Sequence, residues 1–153
     1  MEFPFEIVSE SVEQTENIGE ILSRLIMEDS SLPRFVAMYG DLGVGKTAFT
    51  RGFCRTLCPN STVKSPTFSL VNEYKCVQNE MGISRICHFD MYRVTDEDDL
   101  YSIGYDDYLR DNYLLIAEWC ELIPYALPPE RIEVTIEKTS NNEKRRITLR
   151  LVL

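Results

Sequence analysis

No apolar run in this sequence is longer than five residues, far short of the ~20 that a membrane span requires. The opening Met1-Glu2-Phe3-Pro4-Phe5-Glu6 has no basic stretch ahead of an apolar segment. Neither a span nor a secretory leader is expected, and the cytoplasm is the default. The five cysteines, Cys54, Cys58, Cys76, Cys87 and Cys120, are odd in number and show no C-x-x-C spacing, which argues against a disulfide scaffold and a zinc ribbon. They read as reduced core thiols. A metal site at Cys54 and Cys58, or at Cys87 beside the lone His88, fits no common ligand spacing. Basic residues are scarce, 16 Lys and Arg against 25 Asp and Glu, for a formal charge of -9. That balance disfavours tight, unaided binding to nucleic acid, which needs a basic face. Much of the acid lies between Asp90 and Asp111; a solvated helix face and a docking surface for a basic partner both fit such a run. Repeats, low-complexity tracts and long linkers are also missing, and 153 residues hold one core but not two. A single domain is expected.

The segments that are present read as an α/β chain. Ser11-Val12-Glu13-Gln14 has the form of a capping box, and Ile18, Ile21, Leu22, Leu25 and Ile26 follow at helical spacing. After Leu32-Pro33, the run Phe35 to Tyr39 suits a buried strand, and a glycine loop and a second helix from Thr47 to Leu57 come next. Phe68 to Cys76 and Ile83 to Phe89, either side of Gln78 to Gly82, predict an antiparallel hairpin. Short helices are expected from Asp96 to Arg110, with Thr95 as the cap. Tyr113 to Ala117 predicts a strand ending in Glu118-Trp119, and alternation at Ile132, Val134, Ile136 and again at Ile147, Leu149, Leu151 predicts a closing hairpin. Early strand-loop-helix order with later hairpins implies a layered α/β fold with a mixed parallel and antiparallel sheet.

The chemistry concentrates in Gly40-Asp41-Leu42-Gly43-Val44-Gly45-Lys46-Thr47, a G-x-x-x-x-G-K-[ST] phosphate loop. Its glycines let backbone N–H groups curl round an anion, Lys46 neutralises outer phosphate charge, and the Thr47 hydroxyl suits Mg²⁺. The expected ligand is Mg-ATP. A magnesium ion there also needs a carboxylate from a neighbouring strand. Glu118 follows four apolar residues and is assigned to the metal; Asp90 follows Ile86 to Phe89 and is assigned to orienting the attacking or metal-bound water. Ser65-Pro66-Thr67-Phe68 places hydroxyls in a constrained loop before a strand, suited to a γ-phosphate sensor or to a plain turn. His88 fits a catalytic base or a satisfied strand histidine, and Trp119 a base-stacking or a core residue.

The glycine loop together with Val63-Lys64-Ser65-Pro66-Thr67-Phe68-Ser69-Leu70-Val71, His88-Phe89-Asp90-Met91-Tyr92-Arg93 and Glu118-Trp119 resembles the bacterial TsaE (YjeE) family, in order and spacing, across nearly the whole chain. The resemblance implies a P-loop NTPase fold in three layers. It also implies a small ATPase that works with the TsaB and TsaD proteins to make the threonylcarbamoyl modification on adenosine 37 of tRNA. By the same resemblance Thr47 and Glu118 are the Mg²⁺ ligands, Asp90 is the acid needed for hydrolysis, and Thr67 belongs to a switch loop. Thr15 and Arg131 flank the nucleotide, and His88 and Trp119 become site residues without an assigned role. Val44 stands where the family often has alanine, and Tyr74 to Arg85 looks particular to this chain.

The expected function is therefore an ATP-hydrolysing switch subunit that reaches tRNA through its partners. The alternative is a small kinase passing the γ-phosphate to a metabolite or nucleotide, which needs an arginine-rich lid that no insertion here provides. A GTP-binding switch is a third reading, for which the chain lacks N-K-x-D.

Overall fold

The structure, a computed structural model, describes residues 1–153 except Leu42, Thr67 and Phe68. Helix α1 (Val12–Glu28) starts where Ser11 accepts the Gln14 N–H and supplies the cap that its sequence predicts. The Gln14 side chain reaches back to the Glu10 N–H at 2.7 Å, one residue before the position the capping box implies. Before it lies β1 (Phe5–Ser9), a strand absent from the sequence reading. It is an edge strand with Ile7 and Val8 exposed, so no buried face imposes alternation on it.

The central strands are β2 (Phe35–Tyr39), β4 (Arg85–Asp90), β5 (Leu114–Glu118) and β6 (Arg131–Lys138). They form a parallel block, with β2 between β6 and β5, and β5 between β2 and β4. Antiparallel strands extend it at both edges: β3 (Val71–Lys75) on β4, and β7 (Arg145–Val152) followed by β1 on β6. The order β1-β7-β6-β2-β5-β4-β3 is the expected mixed sheet.

Period two divides the side chains between two cores. Val36, Met38, Ile86, Leu114 and Ile116 face α1 and α2 (Lys46–Arg55), while Phe35, Ala37, Cys87, Phe89, Leu115 and Ala117 face α3 (Glu97–Ser102) and α4 (Tyr105–Arg110). Both faces of β2 and β5 are covered, so they read as continuous apolar runs. On β6 the outer face instead carries Glu133, which pairs with Arg131 at 2.8 Å and with Arg150. That explains its alternation. Four of the five cysteines fall into these cores as expected, Cys54 and Cys58 in one and Cys87 and Cys120 in the other, and Cys76 packs half-buried against the first. Among the described residues no three His, Cys, Asp or Glu side chains form a metal cluster.

The acidic stretch forms α3 and α4. Asp96, one residue after the expected Thr95, is the α3 cap and accepts the Asp99 N–H at 3.1 Å. Thr95 is held in turn by the Asp99 carboxylate at 2.8 Å from both its N–H and its hydroxyl.

Helices α1 and α2 cross with their backbones touching. A Cβ added at Gly52 would lie 1.8 Å from the Glu16 carbonyl oxygen, and one at Gly19 would lie 2.2 Å from that of Phe49. Where the crossing meets solvent, Glu16 takes Arg51 at 2.6 Å and Arg55 at 2.5 Å, and Glu20 takes Arg55 at 2.9 Å. Exposed pairs of this kind contribute ~0–1 kcal/mol each, so the close backbone approach dominates. In an open helix Gly→Ala gains ~1 kcal/mol; at Gly52 the clash is with main chain, which cannot step aside, and overpacking of this kind costs ~1–3 kcal/mol or more. Gly52→Ala should therefore lower the urea midpoint markedly, whereas Arg55→Ala, which loses two exposed pairs, should shift it by no more than ~2 kcal/mol equivalent. A stabilised Gly52→Ala protein would show that the helices are not in backbone contact.

Candidate functional site

Strands β2, β4 and β5 are parallel and finish on one edge of the sheet, at Tyr39, Asp90 and Glu118. Open α/β sheets offer their ligand crevice at this edge. From Tyr39 the chain enters the glycine loop. Gly40 has φ +145° and sits so close to β6 that a Cβ would lie 2.5 Å from the Ile136 carbonyl oxygen. Gly45, with φ +114°, caps α2 without a side-chain hydrogen bond. The first-turn N–H groups of α2 are thus left to an anion.

Lys46 is buried at the mouth of this loop. Its Nζ donates to the Gly40 carbonyl at 2.5 Å and lies 3.8 Å from the centre of the Trp119 ring. Burial holds its pKa below the usual lysine value, while Glu118, Glu121, Asp90 and Asp41 pull in the opposite direction. Trp119 follows Glu118 directly and has φ +60°, rare for a residue with a side chain. That backbone turn takes the chain off β5 into a 3₁₀ segment at Cys120–Leu122, and Tyr92 packs on the Trp119 ring at 5.1 Å.

The carboxylates of the site are neighbours by sheet register, Asp90 opposite Glu118. One hydroxyl touches both: Ser65 Oγ lies 3.2 Å from Asp90 Oδ2 and 3.4 Å from Glu118 Oε2. The other Asp90 oxygen accepts the Tyr92 N–H at 3.0 Å. Glu118 is buried and meets His88 Nε2 at 3.0 Å. His88, fully buried, has its Nδ1 3.3 Å from the Tyr74 hydroxyl. Burial pushes the Tyr74 phenol above its usual range, against the opposing bond from the Lys64 backbone, so it stays a hydroxyl at neutral pH.

A cavity of about 390 Å³ collects Gly43, Gly45, Lys46, Thr47, Ser65, Asp90, Glu118 and Trp119. One lysine, two hydroxyls, two carboxylates and a helix N-terminus face one space. The hydroxyls and carboxylates are hard oxygen donors of the type Mg²⁺ takes, too few to enclose it, which fits an ion that keeps waters and shares phosphate oxygens. A larger cavity of about 590 Å³ lies between α3, α4 and residues 125–129, lined mainly by tyrosines, prolines and acids. Among the described residues its lining includes no lysine or arginine.

The other site expectations fare differently. Asp41 is exposed on the loop, and Val44 is buried beneath it, with its carbonyl accepting Arg145 Nε at 3.0 Å. Thr15 lies on the far side of the loop, in a cavity of about 140 Å³ shared with Ser11, Gly43, Gly45 and Arg145. Its hydroxyl pairs with Ser9 at 2.7 Å. Arg131 is not brought to the glycine-loop cavity. It begins β6, beside the start of β2, at the opposite edge of the sheet from Gly40, and it is engaged by Glu133 and by the Pro128 carbonyl at 3.0 Å. Leu42 and Thr67 lie outside the described residues. The sequence reading missed Arg145, Tyr74 and the individual part of Ser65. A lone arginine on a terminal strand and a strand tyrosine carry no local signal; Ser65 had one, its place in the quoted Ser65-Pro66-Thr67-Phe68 loop.

Comparison with known proteins identifies the family and the fold. The sequence model described as "Threonylcarbamoyl adenosine biosynthesis protein TsaE" matches residues 9–147. A Rickettsia conorii protein named tRNA threonylcarbamoyladenosine biosynthesis protein TsaE is 34% identical over 135 residues, 88% of this chain and 71% of the relative. The Haemophilus influenzae protein of that name is 38% identical over 119 residues, 78% of this chain and 70% of the relative. Among solved structures, Bacillus subtilis YdiB superposes with a TM-score of 0.73 at 27% identity, covering 100% of this chain and 88% of that one. With the family model matching residues 9–147 and relatives above 30% identity covering most of its length, this chain belongs to the TsaE family.

Proposed function

We propose that this chain, as a single P-loop domain, binds and hydrolyses Mg-ATP in support of threonylcarbamoylation of tRNA adenosine 37. In this reading it is an ATP-driven switch subunit working with the TsaB and TsaD proteins. The observation that carries the reading is the meeting of Lys46, Thr47, Asp90 and Glu118 in one cavity at the mouth of the glycine loop. The tRNA role rests on the family to which the chain belongs.

The backbone from Gly40 to Thr47 receives the phosphates, with Asp41, Leu42, Gly43 and Val44 as the arch and Gly45 opening the helix. Lys46 leaves the Gly40 carbonyl and the Trp119 face for phosphate oxygens, a move its buried charge favours because an anion compensates it better than a carbonyl does. Thr47 and Glu118 hold the metal, which when bound neutralises charge on the phosphoryl oxygens. Asp90, one strand from Glu118, orients the attacking water, and Thr67 belongs to the loop that answers the γ-phosphate. Trp119 flanks the nucleotide from the wall of the same cavity, and Thr15 braces the loop from behind. The net charge of -9 leaves tRNA contact to the partners. Among the described residues the cavity is lined by no arginine, which disfavours a kinase lid.

Labelled ATP, given to the protein with and without TsaB and TsaD, should be hydrolysed slowly alone and faster with the pair. Transfer of label to a metabolite with no response to the pair would favour the kinase instead. Lys46→Ala and Thr47→Ala should each lower turnover by about 100-fold or more, the scale for removing one electrostatic stabiliser, and should abolish the modification in a reconstituted assay. Retained activity in either variant would take the loop out of the mechanism. Glu118→Gln should raise the Mg²⁺ concentration for half-maximal activity more than Asp90→Asn does, and Asp90→Asn should act mainly on turnover. The reverse order would exchange the two roles.

A further inference from the structure

His88 and Tyr74 have no part in the chemistry just proposed, yet both are buried polar groups pointed toward it. From Glu118 a continuous chain of hydrogen bonds leads outward: Glu118 Oε2 to His88 Nε2 at 3.0 Å, then His88 Nδ1 to the Tyr74 hydroxyl at 3.3 Å. It continues from that hydroxyl to the Lys64 carbonyl at 3.0 Å and from the Lys64 N–H back to the hydroxyl at 3.2 Å. Lys64 precedes Ser65, whose own hydroxyl spans Asp90 and Glu118. The loop is thus joined to the carboxylate pair by two routes, one direct and one through β4 and β3.

With Glu118 ionised and His88 neutral, the hydrogen-bond donors give the indirect route two settings. An ionised carboxylate only accepts, so a neutral His88 must present Nε2–H to Glu118, and its Nδ1 is then bare and can only accept. The Tyr74 hydroxyl is the donor within reach. It owns one proton, and the Lys64 carbonyl lies within reach of the same proton. Either the imidazole or the loop carbonyl receives it. Whatever tightens His88 on Glu118 also sets how firmly Tyr74 holds Lys64. The sheet makes the route stiff: His88 and Tyr74 lie on paired strands and face the α1 and α2 side, where Ile86 and Ile116 pack around them.

We infer that Tyr74 and His88 are positioning residues that couple the Glu118 carboxylate to the loop bearing Lys64 and Ser65, so that Mg²⁺ at Glu118 and the placement of that loop report on each other. The inference rests on the proposed nucleotide site, since it makes Glu118 the metal-facing end. Partners of this kind behind a metal ligand are worth ~10–100-fold in metal affinity. Tyr74→Phe is the informative change, because it keeps the ring and its packing and removes only the hydroxyl.

Two measurements test the coupling without relying on turnover. Mg²⁺ titrated in the presence of ADP is followed by fluorescence of Trp119, the only tryptophan. Tyr74→Phe should raise half-saturation about tenfold, with ADP affinity in EDTA unchanged. In the double variant Tyr74→Phe, Glu118→Gln, half-saturation should move no further than in Glu118→Gln alone. Wild-type Mg²⁺ affinity in Tyr74→Phe, or single effects that multiply in the double variant, would overturn the coupling. The second arm needs no nucleotide. Exchange of the Lys64 amide, measured by NMR on the free protein, should speed up in Glu118→Gln and in His88→Asn even though neither residue touches it. If it stays at the wild-type rate, the chain of bonds carries nothing to the loop. Should the wild type fail to bind Mg-ADP at all, the nucleotide reading falls, while this arm still decides whether Glu118 and Lys64 are coupled.

Discussion

Two carboxylates on adjacent parallel strands, held side by side at the rim of a buried face, set the terms for everything around them. Asp90 and Glu118 share a register, so the sheet itself fixes their spacing. Like charges so placed repel, and burial raises the cost. The structure answers with Lys46, drawn into the same space, and with the Ser65 hydroxyl, His88 and the Tyr92 N–H. Lys46 is itself desolvated and resting on a carbonyl and an indole face. No partner in this set is a full counter-charge in ideal geometry for both acids. A divalent cation with phosphate would satisfy the acids, the lysine and the helix N-terminus together, and this is the physical sense in which the arrangement asks for a ligand.

The parts legible in sequence are those governed by local rules. The Ser11 cap, the 3.6-residue period of α1, the buried runs of β2 and β5 and the glycine loop each carry their signal within a few residues. What escaped depends on partners far along the chain. β1 exists because β7 offers it an edge, and nothing in Phe5 to Ser9 announces that. Arg145 steadies Val44 across 101 residues of sequence. Arg131, which the family resemblance placed near the nucleotide, is at the wrong end of a parallel strand and answers to Glu133 instead. His88 was readable both as a satisfied strand histidine and as a site residue. The structure makes these one description, because the group that satisfies it is Glu118.

The two sides of the site differ in how they are held. Behind the glycine loop, α1 and α2 are in backbone contact at Gly19 and Gly52, and Phe49, Phe53 and Leu22 fill the space beneath them. Displacing α2 would break close packing, which deforms little before it fails. The segment from Asn60 to Pro66 has no regular secondary structure. Val63 packs against the core and Pro66 is buried, while the polar attachments near the site are hydrogen bonds: Ser65 to the acids, Lys64 to Tyr74, and Asn72 to the Lys64 carbonyl at 2.9 Å. Each such bond is worth ~0.5–1.5 kcal/mol net, so they can be exchanged one for another at small cost. A closely packed helix pair faces a segment whose polar bonds are exchangeable. Charge arriving between them moves the Lys46 side chain on the first side and can exchange the backbone bonds of the second, an asymmetry that would serve the proposed switch.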